Sequence, residues 1–192
     1  MSAVSGADME SGVKYRTIVA DPPWPMGRTT RQRADRTFEN VALRYETLAL
    51  AEICALPVAD HAWLDCRVFL WTTNRFLPHT FDVLRAWGFK YKQTLVWYKP
   101  DPSPISGSVA PNAEFLLVGV KGSSVVLRRM PNAVLRHPQK ALQQSEKPEM
   151  FLDWVEQCSP GPYLELFARR NRLGWDTWGN EALEHVALEV PS

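Results

Sequence analysis

The tetrapeptide Asp21-Pro22-Pro23-Trp24 combines a carboxylate, two rigid residues and a flat aromatic ring. A carboxylate and a backbone carbonyl can accept hydrogen bonds from both hydrogens of an amine conjugated to a ring, which favours a pyramidal nitrogen with its lone pair available. Asp21 supplies the carboxylate, and Pro22 supplies the carbonyl, whose direction is fixed by the restricted dihedral angles of consecutive prolines. Trp24 offers a face for stacking a planar base, worth about 1–3 kcal/mol. The alternative is a rigid turn after a strand.

The elements that must position this motif follow from the hydrophobic pattern. Strands are predicted over 17–20, 67–71, 94–98, 114–120 and 163–167, with a short strand and a basic loop within 123–144 and a turn or short strand over 174–180. Helices are predicted over 48–56, 75–87 and 146–158, with Asn74 and Ser145 as N-caps. This alternation indicates an α/β fold: a mostly parallel sheet with helices on both faces. In such sheets ligands bind beyond the carboxyl ends of the strands, where Asp21 stands.

The composition is that of an ordinary globular protein, with 192 residues, 45% of them hydrophobic and 22% charged. It predicts one domain over 13–192 after a frayed segment, 1–12. No apolar run approaches the roughly 20 residues that span a bilayer. Cys54, Cys66 and Cys158 form no CxxC pair, which predicts reduced thiols in a cytoplasmic protein. The histidines lack ligand spacing, so no metal site is expected.

Two basic segments are candidates for binding a nucleic acid backbone on the same rim as Trp24. The first contains Arg28, Arg31, Arg33 and Arg36, and the second contains Arg128, Arg129, Arg136, His137 and Lys140. Each could equally be a solvated charged loop. The further candidates on this rim are Tyr45, Trp97, Lys99 and Glu114. Glu114 could bond a target base, or it could pair with Lys99 at a strand end.

Several motifs in a fixed order extend the pattern along nearly the whole chain. They are Ile18 to Trp24, Phe69 to Asn74, Trp87 to Phe89, Val96 to Lys99, Glu114 to Gly122, Ser145 to Glu149, Leu164 to Arg169 and Gly174 to Glu181. In these motifs the chain resembles the MT-A70-like family of S-adenosylmethionine-dependent adenine-N6 methyltransferases, of bacterial or phage type. Each motif is weak alone, and the ordered set is specific.

This resemblance implies a Rossmann-like methyltransferase fold with a permuted motif order, in which the catalytic Asp21-Pro22-Pro23-Trp24 precedes the cofactor-binding strand. It implies S-adenosylmethionine as the methyl donor, with Asp21 at its amino group and Lys147 at its carboxylate. The ribose and adenine of the donor would be surrounded by Glu165, Phe167, Arg169, Asn180 and Glu181. The implied substrate is the N6 amino group of adenine in a nucleic acid, with DNA favoured over RNA.

Two other functions remain open at this stage. One is a catalytically inactive nucleic-acid-binding partner of the same fold, although such proteins lose the catalytic acid or the aromatic residue, and Asp21 and Trp24 are both present. The other is an amino-methyltransferase that acts on cytosine N4 or protein glutamine. Those relatives usually begin the tetrapeptide with Ser or Asn and end it with Tyr, so its sequence here favours adenine. The oligomeric state is left open.

Overall fold

Seven strands and four helices are present in the computed structural model, which describes residues 13–25, 47–101, 109–139 and 146–179. The strands are β1 (Tyr15–Ala20), β2 (Ala62–Thr73), β3 (Lys90–Tyr98), β4 (Ala113–Lys121), β5 (Val134–Arg136), β6 (Tyr163–Leu166) and β7 (Trp175–Trp178). The helices are α1 (Leu50–Ala55), α2 (Val58–His61), α3 (Leu77–Ala86) and α4 (Met150–Cys158). The segment predicted as frayed, 1–12, lies outside the described residues.

The strands form one sheet in the order β5-β3-β4-β2-β1-β6-β7. Within the described sheet, β4 is antiparallel to its neighbours β2 and β3, and the other adjacent pairs are parallel. The prediction of a mostly parallel sheet is therefore confirmed. β1 and β6 are neighbours, with Val19 opposite Glu165, although they stand near opposite ends of the chain. This neighbourhood agrees with the permuted order of the motifs.

The helices cover both faces of the sheet, as predicted. Consecutive side chains of a strand point to opposite faces, and the two faces here carry separate apolar clusters. Val68 of β2 packs in the cluster that contains Ile53 of α1 and Leu84 of α3. Its neighbour Phe69 packs in the other cluster, with Phe151 of α4. α4 leads into β6, which is parallel to β1, so α4 begins at the edge where β1 ends, and Lys147, just before α4, contacts Asp21 there.

The helix starts differ from the predicted ones. Phe76 rather than Asn74 is the N-cap of α3, and the Phe76 N–H donates to the Thr73 carbonyl, which closes a turn ahead of the helix. The N-cap of α4 is Glu149, and the predicted cap, Ser145, lies outside the described residues. A residue that precedes proline is disfavoured in the helical region, so α4 begins only after Pro148. Residues 146–149 are therefore not part of the helix.

In the parts of the chain that the structure describes, none of the helices has the length and apolar character needed to cross a membrane.

Candidate active site

Charged side chains from distant parts of the chain meet at the carboxyl edge of the sheet. Asp21 follows β1, Lys99 follows β3 and Phe167 follows β6. Glu114 reaches the same edge because β4 runs in the opposite direction, so its first residues lie beside the last residues of its neighbours. Glu114 is accordingly in register with Thr73, the last residue of β2. This is the edge at which ligands bind in open α/β sheets.

Asp21, Glu114 and Lys99 form a chain of alternating charge together with Lys147, which lies just before α4. Lys147 Nζ lies 2.8 Å from Asp21 Oδ2 and 3.3 Å from Glu114 Oε2. Lys99 Nζ donates to the other carboxylate oxygen of Glu114. The four side chains are between 8% and 26% exposed, so most of their surface is removed from water. Buried charges are tolerated when they are paired, and here each has an opposite charge beside it. The pairing of Glu114 with Lys99, one of the two alternatives, is confirmed.

The cluster shifts the pKa values of its members. Burial raises the pKa of Asp21 above its ordinary value and the charge of Glu114 adds to this, while Lys147 and Arg169 oppose it. Burial also acts to raise the pKa of Glu114, but attraction to Lys147 and Lys99 outweighs it and leaves that pKa lowered. The pKa of Lys147 is raised, because Asp21 and Glu114 outweigh the desolvation of its ammonium. At neutral pH Lys147 therefore carries its charge.

Backbone hydrogen bonds fix the turn that follows Asp21. The Trp24 N–H donates to the Pro22 carbonyl at 2.8 Å, and the Leu48 N–H donates to the Pro23 carbonyl at 3.0 Å. A carbonyl oxygen has two lone pairs, so the Pro22 oxygen keeps one acceptor site in a direction set by the turn. The rigidity expected of the two prolines is thus reinforced by hydrogen bonds on both sides.

The structure corrects the prediction that Trp24 presents an open stacking face. Trp24 is 5% exposed, and its ring stacks on Phe76 with centroids 5.5 Å apart and an interplanar angle of 12°. Its Nε1 donates to the carbonyl of Trp71 in β2 at 3.1 Å. Trp24 therefore anchors the tetrapeptide to the core, and Phe76, from the turn before α3, occupies a face that was expected to hold a base.

Trp97 and Lys99 also lie deeper than predicted. Trp97 is fully buried, and its Nε1 donates to the His137 carbonyl at 2.8 Å. Lys99 is 7% exposed, with Nζ 4.4 Å from the centre of the Trp97 ring. The physical reason is packing on the face of the sheet: Trp97 lies in the cluster that contains Trp71, Phe151 and Leu135, and the Lys99 ammonium lies over its ring. In the structure both side chains make contacts within the protein, and Lys99 holds Glu114 in place. Their role as substrate contacts stays a prediction.

A second wall of the site comes from β6 and β7. Glu165 lies opposite Val19 of β1 and Thr177 of β7. Burial raises the pKa of Glu165 to about 7, with a further contribution from Asp21.

The loop after β6 begins with a residue in an unusual conformation. Phe167 has a φ of 63°, a left-handed conformation that is costly for a bulky residue and that is often found at functional sites. Its ring packs edge-to-face against Trp178 at 5.2 Å. Arg169, half-buried beyond it, lowers the pKa of Asp21.

The predicted basic segments are only partly described. Arg128 bonds to Gln157, and the Leu127 N–H donates to the carbonyl of Cys158 at the end of α4. That end lies beside the first half of β1, where Thr17 bonds to Ser159 at 2.6 Å. Arg128 and its neighbour Arg129 are therefore at the edge opposite Asp21, and their predicted position is wrong. Arg136 ends β5 and lies on the active-site edge. The predicted residues outside the described ranges are Arg28, Arg31, Arg33, Arg36, Tyr45, Lys140, Asn180 and Glu181.

Trp71 is a site residue that the sequence analysis missed. Its carbonyl accepts the hydrogen bond from Trp24, its ring packs against Phe151 at 4.7 Å, and Lys147 Nζ lies 5.5 Å from its centre. Trp71 thus connects the tetrapeptide, α4 and the site lysine. Its place at the end of an apolar run indicated only a buried strand. The pattern could not show which groups the ring would support.

Gly179 allows the ends of β6 and β7 to approach closely. A Cβ at this position would lie 2.6 Å from both the N and the O of Ala168. We expect Gly179→Ala to lower the free energy of unfolding by about 1–3 kcal/mol, measured by thermal unfolding. Gly174→Ala is the control, because a Cβ there meets nothing within 4 Å and its φ of 81° is the only obstacle. A smaller loss in Gly179→Ala than in Gly174→Ala would contradict this packing.

The sheet order, the helices on both faces and the polar edge between β1 and β6 define a Rossmann-like methyltransferase fold with permuted motifs. The sequence profile described as MT-A70 matches residues 15–181. The chain therefore belongs to the MT-A70 family.

Within the described ranges, His, Cys, Asp and Glu side chains form no group of three or more that could hold a metal ion.

Individual relatives agree with this membership. The chain is 32% identical to the Type II methyltransferase M.MunI of Mycoplasma sp, over 93% of this chain and 82% of that protein. It is 26% identical to the N(6)-adenine-specific methyltransferase METTL4 of Mus musculus, over 94% of this chain and 40% of the relative. It is 29% identical to the N(6)-adenosine-methyltransferase MT-A70-like protein of Drosophila melanogaster, over 96% of this chain and 29% of that protein. The enzyme class expected from the sequence is confirmed at the level of the family.

Proposed function

We propose that the protein transfers a methyl group from S-adenosylmethionine to the N6 amino group of adenine in a nucleic acid, with DNA favoured over RNA. The observation that carries this proposal is the ion pair between Asp21 and Lys147 at the carboxyl edge of the sheet. The methionine part of the donor is a zwitterion, with an ammonium and a carboxylate on one carbon. An aspartate and a lysine side by side offer the opposite charge to each of these groups.

The ion pair can open for such a ligand without leaving a buried charge unpaired. Lys147 also contacts Glu114 at 3.3 Å, so it keeps a partner when Asp21 turns to an ammonium group. In the proposal Asp21 binds the donor's amino group and Lys147 its carboxylate, while Glu165, Phe167 and Arg169 line the way to the ribose and adenine. Asn180 and Glu181 stay sequence-based candidates for contacts with the ribose and adenine. When bound, the donor supplies an electrophilic methyl group for direct transfer.

The tetrapeptide would orient the amine that receives the methyl group. The Asp21 carboxylate and the free lone pair of the Pro22 carbonyl accept the two hydrogens of N6, and they direct its lone pair towards the donor. Positioning of this kind supplies a large part of the rate enhancement where no strong base is needed. Trp24 contributes by holding the turn against β2, through its bond to Trp71.

A base in a duplex must leave the stack to reach such a site. We propose that the nucleic acid backbone contacts Arg136, which is exposed at the active-site edge. Arg28, Arg31, Arg33 and Tyr45 stay sequence-based candidates for the same contact. The preference for DNA rests on the bacterial Type II methyltransferase, to which the chain is 32% identical, against 29% for the relative named for adenosine. A cytoplasmic location is part of the same proposal and fits the three free cysteines.

A methyl-transfer assay with product identification tests this function. The protein is incubated with methyl-labelled S-adenosylmethionine and, separately, with DNA, RNA and a protein mixture, and the nucleic acids are digested to nucleosides. We expect the label in N6-methyl-2′-deoxyadenosine. Label in N4-methylcytosine or in protein glutamine would contradict the substrate, and label in RNA alone would contradict the preference for DNA. Nucleic acid binding without any methyl transfer would favour the alternative function, a catalytically inactive nucleic-acid-binding partner of the same fold.

Donor binding should depend on pH through Glu165. With a pKa of about 7, its ionised fraction rises from roughly a tenth at pH 6 to roughly nine tenths at pH 8. The ionised carboxylate is the better acceptor for ribose hydroxyls and attracts the cationic donor. We therefore expect the Kd for S-adenosylmethionine to fall about tenfold between these pH values, as measured by calorimetry. Glu165→Gln serves as the control, and an equal pH dependence in that variant would exclude Glu165 as the titrating group.

A further inference from the structure

Two walls of the proposed donor site are joined by one arginine at the surface. The loop after β6 carries Phe167 and Arg169 on one side of the site, and the segment 146–149 carries Lys147 on the other. Arg170 belongs to the first wall, and its guanidinium reaches across to the second. One of its nitrogens, Nη1, lies 2.9 Å from Glu146 Oε1, and the other, Nη2, lies 3.0 Å from Glu149 Oε1.

The two carboxylates stand on either side of Lys147 in the chain. Glu146 precedes it, and Glu149 follows it as the N-cap of α4. A guanidinium has a planar fork of donors that can bind two acceptors in fixed directions. Arg170 therefore spans the short non-helical segment that presents Lys147. This segment is held by the helix on its C-terminal side, and Arg170 fixes its N-terminal side from outside.

Lys147 needs such external support because its inner contacts would change with the ligand. A lysine is a point charge on a flexible stem, and its bond to Asp21 would be exchanged for a bond to the donor's carboxylate. The contacts of Arg170 lie outside the site, with Arg170 itself 43% exposed, and they need not change when the ligand enters. They can keep the backbone of Lys147 at the same distance from the loop after β6 in both states.

We infer that Arg170 is a positioning residue for the methyl donor, which fixes the distance between the lysine wall and the loop after β6. This inference rests on the proposed function. It separates two arginines of one loop: Arg170 binds the segment around Lys147, whereas Arg172 binds Asp153 at 2.6 Å and Glu156 at 2.9 Å, further along α4. Arg172 is the matched control, because its two ion pairs join the same loop to the same helix without flanking Lys147.

Calorimetry with S-adenosylmethionine and donor-dependent kinetics on DNA test the inference. We expect Arg170→Ala to raise the Kd and the donor KM about fivefold, since each of two partly exposed ion pairs is worth a factor of roughly two to five. The kcat at saturating donor should stay within about twofold, because Arg170 acts on binding. Arg170→Lys should recover part of the loss. Both arginines lower the pKa of Glu165, so the two variants are also compared in the Glu165→Gln background, in which this titration is absent. There Arg172→Ala should lower the thermal unfolding temperature and leave the Kd within about twofold of the value for Glu165→Gln alone.

The coupling to Lys147 can be measured in a double-mutant cycle. If Arg170 acts through Glu146, the effects of Arg170→Ala and Glu146→Gln on the donor Kd are smaller together than the sum of the two. Strict additivity would overturn the inference, as would an unchanged Kd in Arg170→Ala or an equal loss in Arg172→Ala. These results differ from a failure of the proposed function, in which the unmodified protein itself binds no S-adenosylmethionine.

Discussion

Asp21→Asn should reduce kcat by roughly a thousandfold, with little change in stability. The amide keeps the shape of the side chain but loses the charge that attracts the donor's ammonium, and it presents a donor group where the adenine amine needs an acceptor. Lys147 is not left unpaired, because Glu114 remains 3.3 Å away. Burial raises the pKa of Asp21, which means that the charged carboxylate carries a desolvation cost in the folded protein. Removing the charge removes this cost and so offsets the loss of the ion pair.

Single-turnover kinetics and thermal unfolding would be measured together on Asp21→Asn. The unfolding temperature should remain close to that of the unmodified protein, which excludes misfolding as the cause of the lost activity. Asp176→Asn is a suitable control, because this aspartate of β7 is exposed and lies away from the site. It accepts a hydrogen bond from Tyr15, the first residue of β1, whereas Asp21 follows the last residue of that strand. Methyl transfer at an unchanged rate in Asp21→Asn would remove Asp21 from the reaction.

Lys99→Met should destabilise the protein by about 3 kcal/mol, or roughly 6–12 °C in unfolding temperature. The substitution keeps the length and apolar volume of the side chain. It removes the charge that pairs with Glu114, whose side chain is 13% exposed, and the contact with the Trp97 ring. The buried Glu114 carboxylate would then keep only one of its two ammonium partners, Lys147, and a buried charge that has lost part of its pairing destabilises the folded state. The measurement is chemical denaturation at neutral pH.

A second substitution identifies the source of this loss. Glu114→Gln removes the carboxylate that Lys99 neutralises, so the double variant should be more stable than Lys99→Met alone by about 1 kcal/mol or more. If Lys99 instead contacted a nucleic acid phosphate at the surface, Lys99→Met would weaken nucleic acid binding and leave stability unchanged. That result would restore the prediction made from the sequence.

The sequence predicted the position of Asp21 well because the pattern was local. A short apolar run that ends in Asp-Pro-Pro places the carboxylate at a strand end, and the structure has β1 ending at Ala20, immediately before it. The alternation of runs also predicted the sheet and its two covered faces. Lys147 entered the predicted site only through the family resemblance, because a lysine before a helix has no periodicity that distinguishes it from a solvated one.

The burial of Trp24, Trp97 and Lys99 could not be predicted in the same way. An aromatic or charged residue at a strand end is exposed or covered according to what packs over it. Here Phe76, from the turn before α3, stacks on Trp24, and Phe151 of α4 and Leu135 of β5 belong to the cluster that buries Trp97. Both contacts are between segments that are distant in sequence. The period of the hydrophobic pattern shows which face of a strand is buried, but it does not show which segments pack against that strand.

Strand direction explains why Glu114 lies on the predicted rim and Arg128 does not. Glu114 lies in the site because β4 is antiparallel, and Arg128 lies away from it because it follows β4 at the other edge of the sheet. An apolar run has the same pattern in either direction, so the sequence alone did not determine the edge at which either residue lies. The edge to which a loop belongs follows from the order and direction of the strands, which depend on long-range pairing.

The most direct test of the proposed donor site is a crystal structure of the protein with S-adenosylhomocysteine, which carries the same amino-acid group as the donor. We predict that its carboxylate lies within hydrogen-bond distance of Lys147 Nζ and its ammonium at Asp21, with the direct 2.8 Å contact between these two side chains opened. If the ligand binds elsewhere and that contact remains closed, the site is not a donor site and the proposed function fails.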